Sequence, residues 1–192
     1  MPVPSPETLD FLQRRRSRPA KTLGLPVPDR DALRPLLTAA LRSPDHGKLE
    51  PWRLIVLERA ALQRLAGLVA TRGAALGRDT EEIEKAQSQY GMAHLAVAVI
   101  EVQKPSAKIP AIEQTYSAGA VCLALLNAAL AAGWGANWLS GWASHDSEFT
   151  AQGLGLKEGE RVAGLIHIGT ETNAPPERPR PDTDALTTWM EQ

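Results

Sequence analysis

Two stretches of this chain gather side chains that can hold a charged ligand. The first is Arg14-Arg15-Arg16-Ser17-Arg18-Pro19, with four arginines in five residues and a closing proline. A guanidinium fork bonds two phosphate oxygens at once, and a serine hydroxyl adds a third contact. Arginines also satisfy the dipole at a helix C-terminus, so a phosphate grip and a plain helix end both fit this segment. The second stretch is Arg42-Ser43-Pro44-Asp45-His46-Gly47-Lys48-Leu49-Glu50-Pro51-Trp52. Pro44 and Pro51 push the residues before them out of helical conformation, which makes a braced loop. Loops held between core elements commonly carry binding groups, whereas solvated charges on a helix-to-strand turn are the plainer reading.

The surrounding elements can be read from capping and periodicity. Ser5-Pro6-Glu7 opens a helix whose apolar stripe, Leu9, Phe11 and Leu12, leads to the arginines. Asp29 or Asp31 caps a second helix carrying Leu33, Leu36, Leu37, Ala40 and Leu41, which delivers Arg42 into the loop. Trp52 to Glu58 reads as a strand. A helix over 60–70 follows, then a loose segment at 73–77, and Asp79 opens a polar, solvent-facing helix to about Tyr90. The run Leu95 to Ile100 is continuously apolar, as in a strand buried on both faces. A long helix from about Ala111 to Ala132 has apolar residues all round, so it needs a sheet on one side and a second surface on the other. Residues 136–142 read as a short strand and turn, with Ser144 to Asp146 capping a short helix to about Leu154. Arg161 to Thr170 reads as a further strand, and a proline-rich tail starts at Glu171. This alternation implies an α+β three-layer sandwich, a mixed central sheet flanked by helices, in one domain spanning 1–192.

Composition narrows the function. The chain has 192 residues, with 21 Lys+Arg against 22 Asp+Glu. That balance lacks the basic excess of a nucleic-acid binder. Cys122 is the single cysteine, which excludes an intrachain disulfide framework and fits a reducing, cytoplasmic setting. Met1 to Leu12 lacks the basic and apolar regions of a signal peptide. Ser117 to Ser144 carries no charge, but Asn127, Asn137 and its glycines interrupt it, so it reads as a buried helix and strand rather than a membrane span. No glycine-rich dinucleotide or P-loop fingerprint occurs. Asp45 and His46 lack further ligands at metal spacing. His94, His145 and His167 read as satisfied structural histidines at element ends, and Cys122 as a small core residue.

Taken in order, Arg15-Arg16-Ser17, the Pro44-Asp45-His46 loop leading to Pro51-Trp52, the segment Gly133 to Gly141 and the closing Gly169-Thr170 resemble the FMN-dependent nitroreductase family, in particular its small, minimal branch. The resemblance covers roughly residues 7–170. It implies an intertwined homodimer with FMN at the subunit interface, each flavin touched by both chains. It places Arg15, Arg16 and Ser17 on the FMN phosphate and ribityl, Arg42 and His46 against the flavin, and Trp138, Leu139 and Ser140 beside the isoalloxazine ring. It implies hydride uptake from NADH or NADPH and reduction of a nitroaromatic, quinone or similar acceptor by a ping-pong course. The flavin performs the redox step, so no side chain is assigned as catalytic. The tail 171–192 is expected to wrap the partner subunit.

Two departures from the family pattern bear on this. Glu50 stands where relatives place glutamine; it either disfavours anionic substrates or pairs with Lys48. Leu139 stands where close relatives carry arginine, which removes a cation from beside the ring. Arg178 and Arg180 are further candidates for phosphate contacts. The residues also admit a flavin-storage protein without turnover, a family offshoot that uses reduced flavin for dehalogenation or ring fragmentation, and a flavin-free interaction protein on the same scaffold.

Overall fold

The computed structural model describes residues 3–191. Helix α1 spans Pro6–Arg14, α2 Arg30–Ala40, α3 Arg59–Ala75, α4 Thr80–Gly91 and α5 Ala111–Ala131. Two short helices follow, α6 at Trp142–His145 and α7 at Ser147–Leu154, with α8 at Thr183–Leu186 in the tail. The strands are β1 Leu23–Gly24, β2 Trp52–Glu58, β3 Leu95–Val102, β4 Gly135–Leu139 and β5 Glu160–Glu171. Aspartates start four of the helices, α8 among them, where Asp182 accepts the Asp184 and Ala185 N–H groups. Asp29 accepts the Ala32 N–H, Asp79 the Glu82 N–H and Asp146 the Phe149 N–H. Each such cap is worth about 1 kcal/mol. The cap expected between Ser144 and Asp146 is therefore Asp146, because Ser144 belongs to the separate turn α6.

The five strands run in the order β1-β5-β3-β2, with β4 also paired to β5. Every pairing is antiparallel, which corrects the expectation of a mixed sheet. The cause is where β5 inserts. Helix α5 carries the chain from β3 to β4, which run in the same direction, but β5 lies between them and runs the opposite way. No parallel neighbours are left.

Two hydrophobic cores flank this sheet, as the three-layer reading requires. On one face Leu62, Leu65 and Val69 of α3, Tyr90 of α4 and Phe149 of α7 meet Ala96, Ala98, Ile100 and Leu165. On the other, Leu33, Leu36 and Ala40 of α2 and Val121, Cys122, Leu125 and Ala129 of α5 meet Val97, Val99, Ile166 and Ile168. Strand β3 serves both cores, which is why its sequence is apolar without alternation. Helix α5 is long and apolar enough to cross a membrane by length and composition, yet eight of its residues are buried in this packing. Its outer side leaves Ile112, Tyr116 and Leu123 exposed. Helix α1 buries nothing, and its Leu9 and Leu12 also face outward.

Two local expectations are revised. Helix α3 runs to Ala75 rather than ending near Ala70. Gly73 allows this, because a Cβ there would lie 2.6 Å from Ile83 Cγ1 of α4, so the glycine sets a close helix approach rather than a loose turn. His167 is not a satisfied histidine at an element end. It lies within β5 opposite Ala96 and Asn137, 1% exposed, and neither ring nitrogen has a hydrogen-bond partner among the described residues.

Burial pushes the His167 imidazole down to about 4. The unfolded chain takes up a proton below about pH 6.5, whereas the folded chain refuses it until about pH 4. Stability therefore falls as pH falls through that window, by about 1.4 kcal/mol per pH unit. Between pH 7.5 and 5 the wild type is expected to lose about 2 kcal/mol more than His167→Leu, measured by urea unfolding. Parallel pH profiles for the two proteins would refute this role.

Candidate functional site

The arginine segment divides into structural and available charges. Arg14 is the last residue of α1 and pairs with Asp10 one turn back. Arg18 pairs with Glu171 at 3.4 Å. Arg15 and Arg16 lie between them, beyond the helix, with an extended backbone at Arg15. They therefore do not serve as the last-turn cations of α1. Arg15 donates to Ser17 Oγ at 3.1 Å. Arg15 Nε and Arg16 Nη1 are buried and have no acceptor among the described residues. An unsatisfied buried donor costs about 1–3 kcal/mol, and more on a charged group. The plain helix-end reading leaves that cost standing, whereas an anion would relieve it.

Strand β4 fixes this segment in place. Its one edge pairs with β5, and from it the Ala136 carbonyl accepts the Arg18 N–H at 2.8 Å. The Asn137 side-chain amide donates to the Arg18 carbonyl. The tail then folds back over the same place. Arg15, Arg16, Ser17, Asn137 and Trp138 line a cavity of about 670 Å³ with Arg178, Arg180 and a wall of prolines from the tail. Arg180 bonds Glu177 at 3.0 Å and reaches toward the Arg15 carbonyl. Burial, and then the nearby Arg180 charge, lower the Arg15 guanidinium below its ordinary range. Both effects disfavour its charge until an anion arrives.

Trp138 owes its position to Gly164. A Cβ at 164 would lie 2.1 Å from Trp138 Nε1 and 2.7 Å from its Cδ1. The indole thus lies against bare backbone of β5 and forms one wall of the cavity. Leu139 and Ser140 follow at the end of β4 and do not line it.

The loop from Arg42 to Trp52 sits elsewhere, against the first turns of α5. The Trp52 indole N–H donates to Ser117 Oγ at 3.0 Å, and Ser117 donates to the Pro44 carbonyl at 2.7 Å. Asp45 accepts the N–H groups of Leu49 and Glu50 at 3.2 and 2.8 Å. This holds a run of left-handed backbone at Gly47, Lys48 and Glu50, with φ of 74°, 54° and 48°. Such conformations in non-glycine residues cost energy and persist only where the surroundings impose them. His46 Nδ1 meets Glu113 Oε2 at 2.6 Å. Arg42 is exposed just past α2. No ion pair joins Glu50 and Lys48 among the described residues.

The predicted residues therefore form two groups. Arg15, Arg16, Ser17 and Trp138 share the cavity beyond the C-terminal end of α5, near Leu130 and Gly133. Arg42 and His46 lie by Glu113 and Ser117 at its N-terminal end. From Ser117 to Leu130 the helix rises about 20 Å, so one chain does not bring the groups together. The structure adds Asn137 to the cavity. Its signal was one of two amides, with Asn127, in the uncharged stretch 117–144.

A family model described as the nitroreductase family matches residues 12–170. A curated relative from Escherichia coli strain K12, named "Putative NAD(P)H nitroreductase YdjA", is 32% identical over 164 residues, 85% of this chain and 88% of that protein. The nitroreductase-like family protein from Bacillus cereus superposes with a TM-score of 0.80 at 22% identity, covering 100% of both chains. A nitroreductase with bound FMN from Bacteroides fragilis gives a TM-score of 0.74 at 19% identity, over 97% of this chain and 100% of that one. The two solved structures speak to the fold. The family match runs from within α1 nearly to the end of β5 and takes in both groups of site residues, so this chain belongs to the nitroreductase family.

Proposed function

We propose that the protein is an FMN-dependent oxidoreductase that takes hydride from NADH or NADPH and reduces a nitroaromatic, quinone or similar acceptor by a ping-pong course. One observation carries this reading: the buried nitrogens Arg15 Nε and Arg16 Nη1 that lack acceptors among the described residues, beside Ser17, in a cavity walled by an indole. That donor set fits a phosphate joined to a planar group. The FMN bound by the Bacteroides fragilis neighbour and the NAD(P)H in the name of the Escherichia coli relative support it. When bound, FMN supplies two-electron transfer between a reduced nicotinamide and the acceptor. The chain's own residues hold and shape. Arg15, Arg16 and Ser17 grip the phosphate, Arg178 and Arg180 close over it from the tail, and Trp138 limits the room beside the ring.

In the same reading the working form is a homodimer in a reducing cytoplasm. The exposed stripes Ile112, Tyr116 and Leu123 on α5 and Leu9 and Leu12 on α1 supply apolar surface for a partner. The loop with Arg42 and His46 meets the arginine cavity of the other copy, which unites the two groups that α5 keeps apart. The end of the tail, where Leu186, Trp189 and Met190 are exposed, wraps the partner. An interface of more than about 2,000 Å² is expected, as in obligate dimers.

Flavin titration tests the cofactor and its grip. FMN should bind near one per chain and more tightly than riboflavin, which lacks the phosphate. Arg16→Ala should weaken FMN about ten- to a hundredfold, the worth of one charge-assisted hydrogen bond, and shrink the preference over riboflavin. Absence of FMN binding by the wild type refutes the reading, and a monomer in sedimentation with FMN bound refutes the dimer. A second variant probes the wall. Gly164→Ala should displace the Trp138 indole, cost about 1–3 kcal/mol in unfolding, and change the emission assigned to Trp138 by difference from Trp138→Phe. Unchanged emission would mean that Gly164 does not seat the indole.

A further inference from the structure

We propose that Glu113 is a positioning residue for His46, fixing its imidazole in one orientation and one tautomer toward the ligand; this rests on the functional reading above. Glu113 Oε2 lies 2.6 Å from His46 Nδ1. A carboxylate only accepts, so Nδ1 carries the proton and Nε2 is the nitrogen left to face outward. In the neutral ring that nitrogen is an acceptor, and in the charged ring a donor.

Both ends of this contact stand on rigid ground. Glu113 is in the first turn of α5, next to buried Gln114. The Gln114 amide accepts the Lys104 N–H at 2.7 Å and donates to the Lys104 carbonyl at 2.9 Å, clamping the chain that enters the helix. On the other side, Asp45 and Ser117 tie down the backbone before and after His46. Gly47, at φ 74°, closes the turn against Ile109; a Cβ there would be 2.4 Å from Ile109 Cδ1. The backbone of His46 is thus fixed, while its side chain is 64% exposed. Its hydrogen bond to Glu113 is the one contact of that kind the ring makes among the described residues. Without it the ring is free to turn about both side-chain torsions.

The pair contributes little to stability, because Glu113 is itself 42% exposed and surface pairs are screened. Its effect is on orientation. A ring that must meet a bound ligand in one pose loses rate when it samples several.

Two readouts test this. In FMN-free protein, at a pH where the ring carries one proton, the 15N spectrum of the imidazole should show His46 as the Nδ1–H tautomer. Glu113→Ala should shift it to Nε2–H, the form imidazole prefers in water, whereas Glu113→Gln, which keeps an acceptor oxygen, should hold Nδ1–H. In FMN-loaded protein, Glu113→Ala should slow reduction by NADH or turnover of 1,4-benzoquinone about two- to tenfold, the worth of one hydrogen bond. It should cause no further loss in a His46→Ala background. An Nε2–H tautomer in the wild type overturns the proposal, and so do losses that multiply in the double variant. Failure of FMN to bind instead overturns the functional reading, and the tautomer spectrum then decides whether Glu113 sets the ring.

Discussion

Two guanidinium groups drawn partly out of water, each with a buried nitrogen that has no acceptor among the described residues, are the constraint around which this molecule is arranged. Arg15 and Arg16 could have stayed in solvent, as Arg14 does. They are held in because Arg18 docks on the Ala136 carbonyl of β4 and Asn137 takes the Arg18 carbonyl. That docking needs a strand with a free edge at this place. The fold provides one because β5 inserts between β3 and β4 and leaves β4 paired on a single side. The sheet topology and the charged cavity are therefore one fact seen at two scales.

Helix α5 is the second organising element, and it acts as a spacer. Its buried side seals one core, and its two ends carry the two separate groups of predicted residues. The N-terminal end holds the His46 loop through Ser117 and Glu113, and the C-terminal end leads into the arginine cavity. A helix of this length is stiff, so no small movement within one chain closes a gap of about 20 Å. The outward apolar side chains on the same helix give a physical route to closing it with a second copy.

The balance of order and strain in the loop follows the same logic. Three left-handed residues within four positions would not survive in an isolated peptide. They are kept by one carboxylate, Asp45, that accepts two backbone donors, and by a relay from Trp52 through Ser117 to Pro44. Linked hydrogen bonds of this kind polarise one another and resist partial opening. The loop presents its side chains from a backbone that is already set.

Much of this is legible in the sequence. The apolar run of β3, the aspartate caps, the long α5 and the three layers follow from local patterns, because burial on two faces and helix starts leave marks within a few residues. The resemblance also brought out Arg15, Arg16, Ser17 and Trp138, which do share a cavity. Sequence could not say that Arg14 and Arg18 are paired with Asp10 and Glu171 while the two between them make no ion pair among the described residues. Nor could it show that Gly164 seats the Trp138 indole, that His167 is buried without a hydrogen-bond partner among the described residues, or that the sheet is antiparallel throughout. Each of these depends on which distant segment arrives next to which. A local pattern records how much of a residue is buried, whereas the identity of its neighbour is decided only when strands order themselves and the tail folds back.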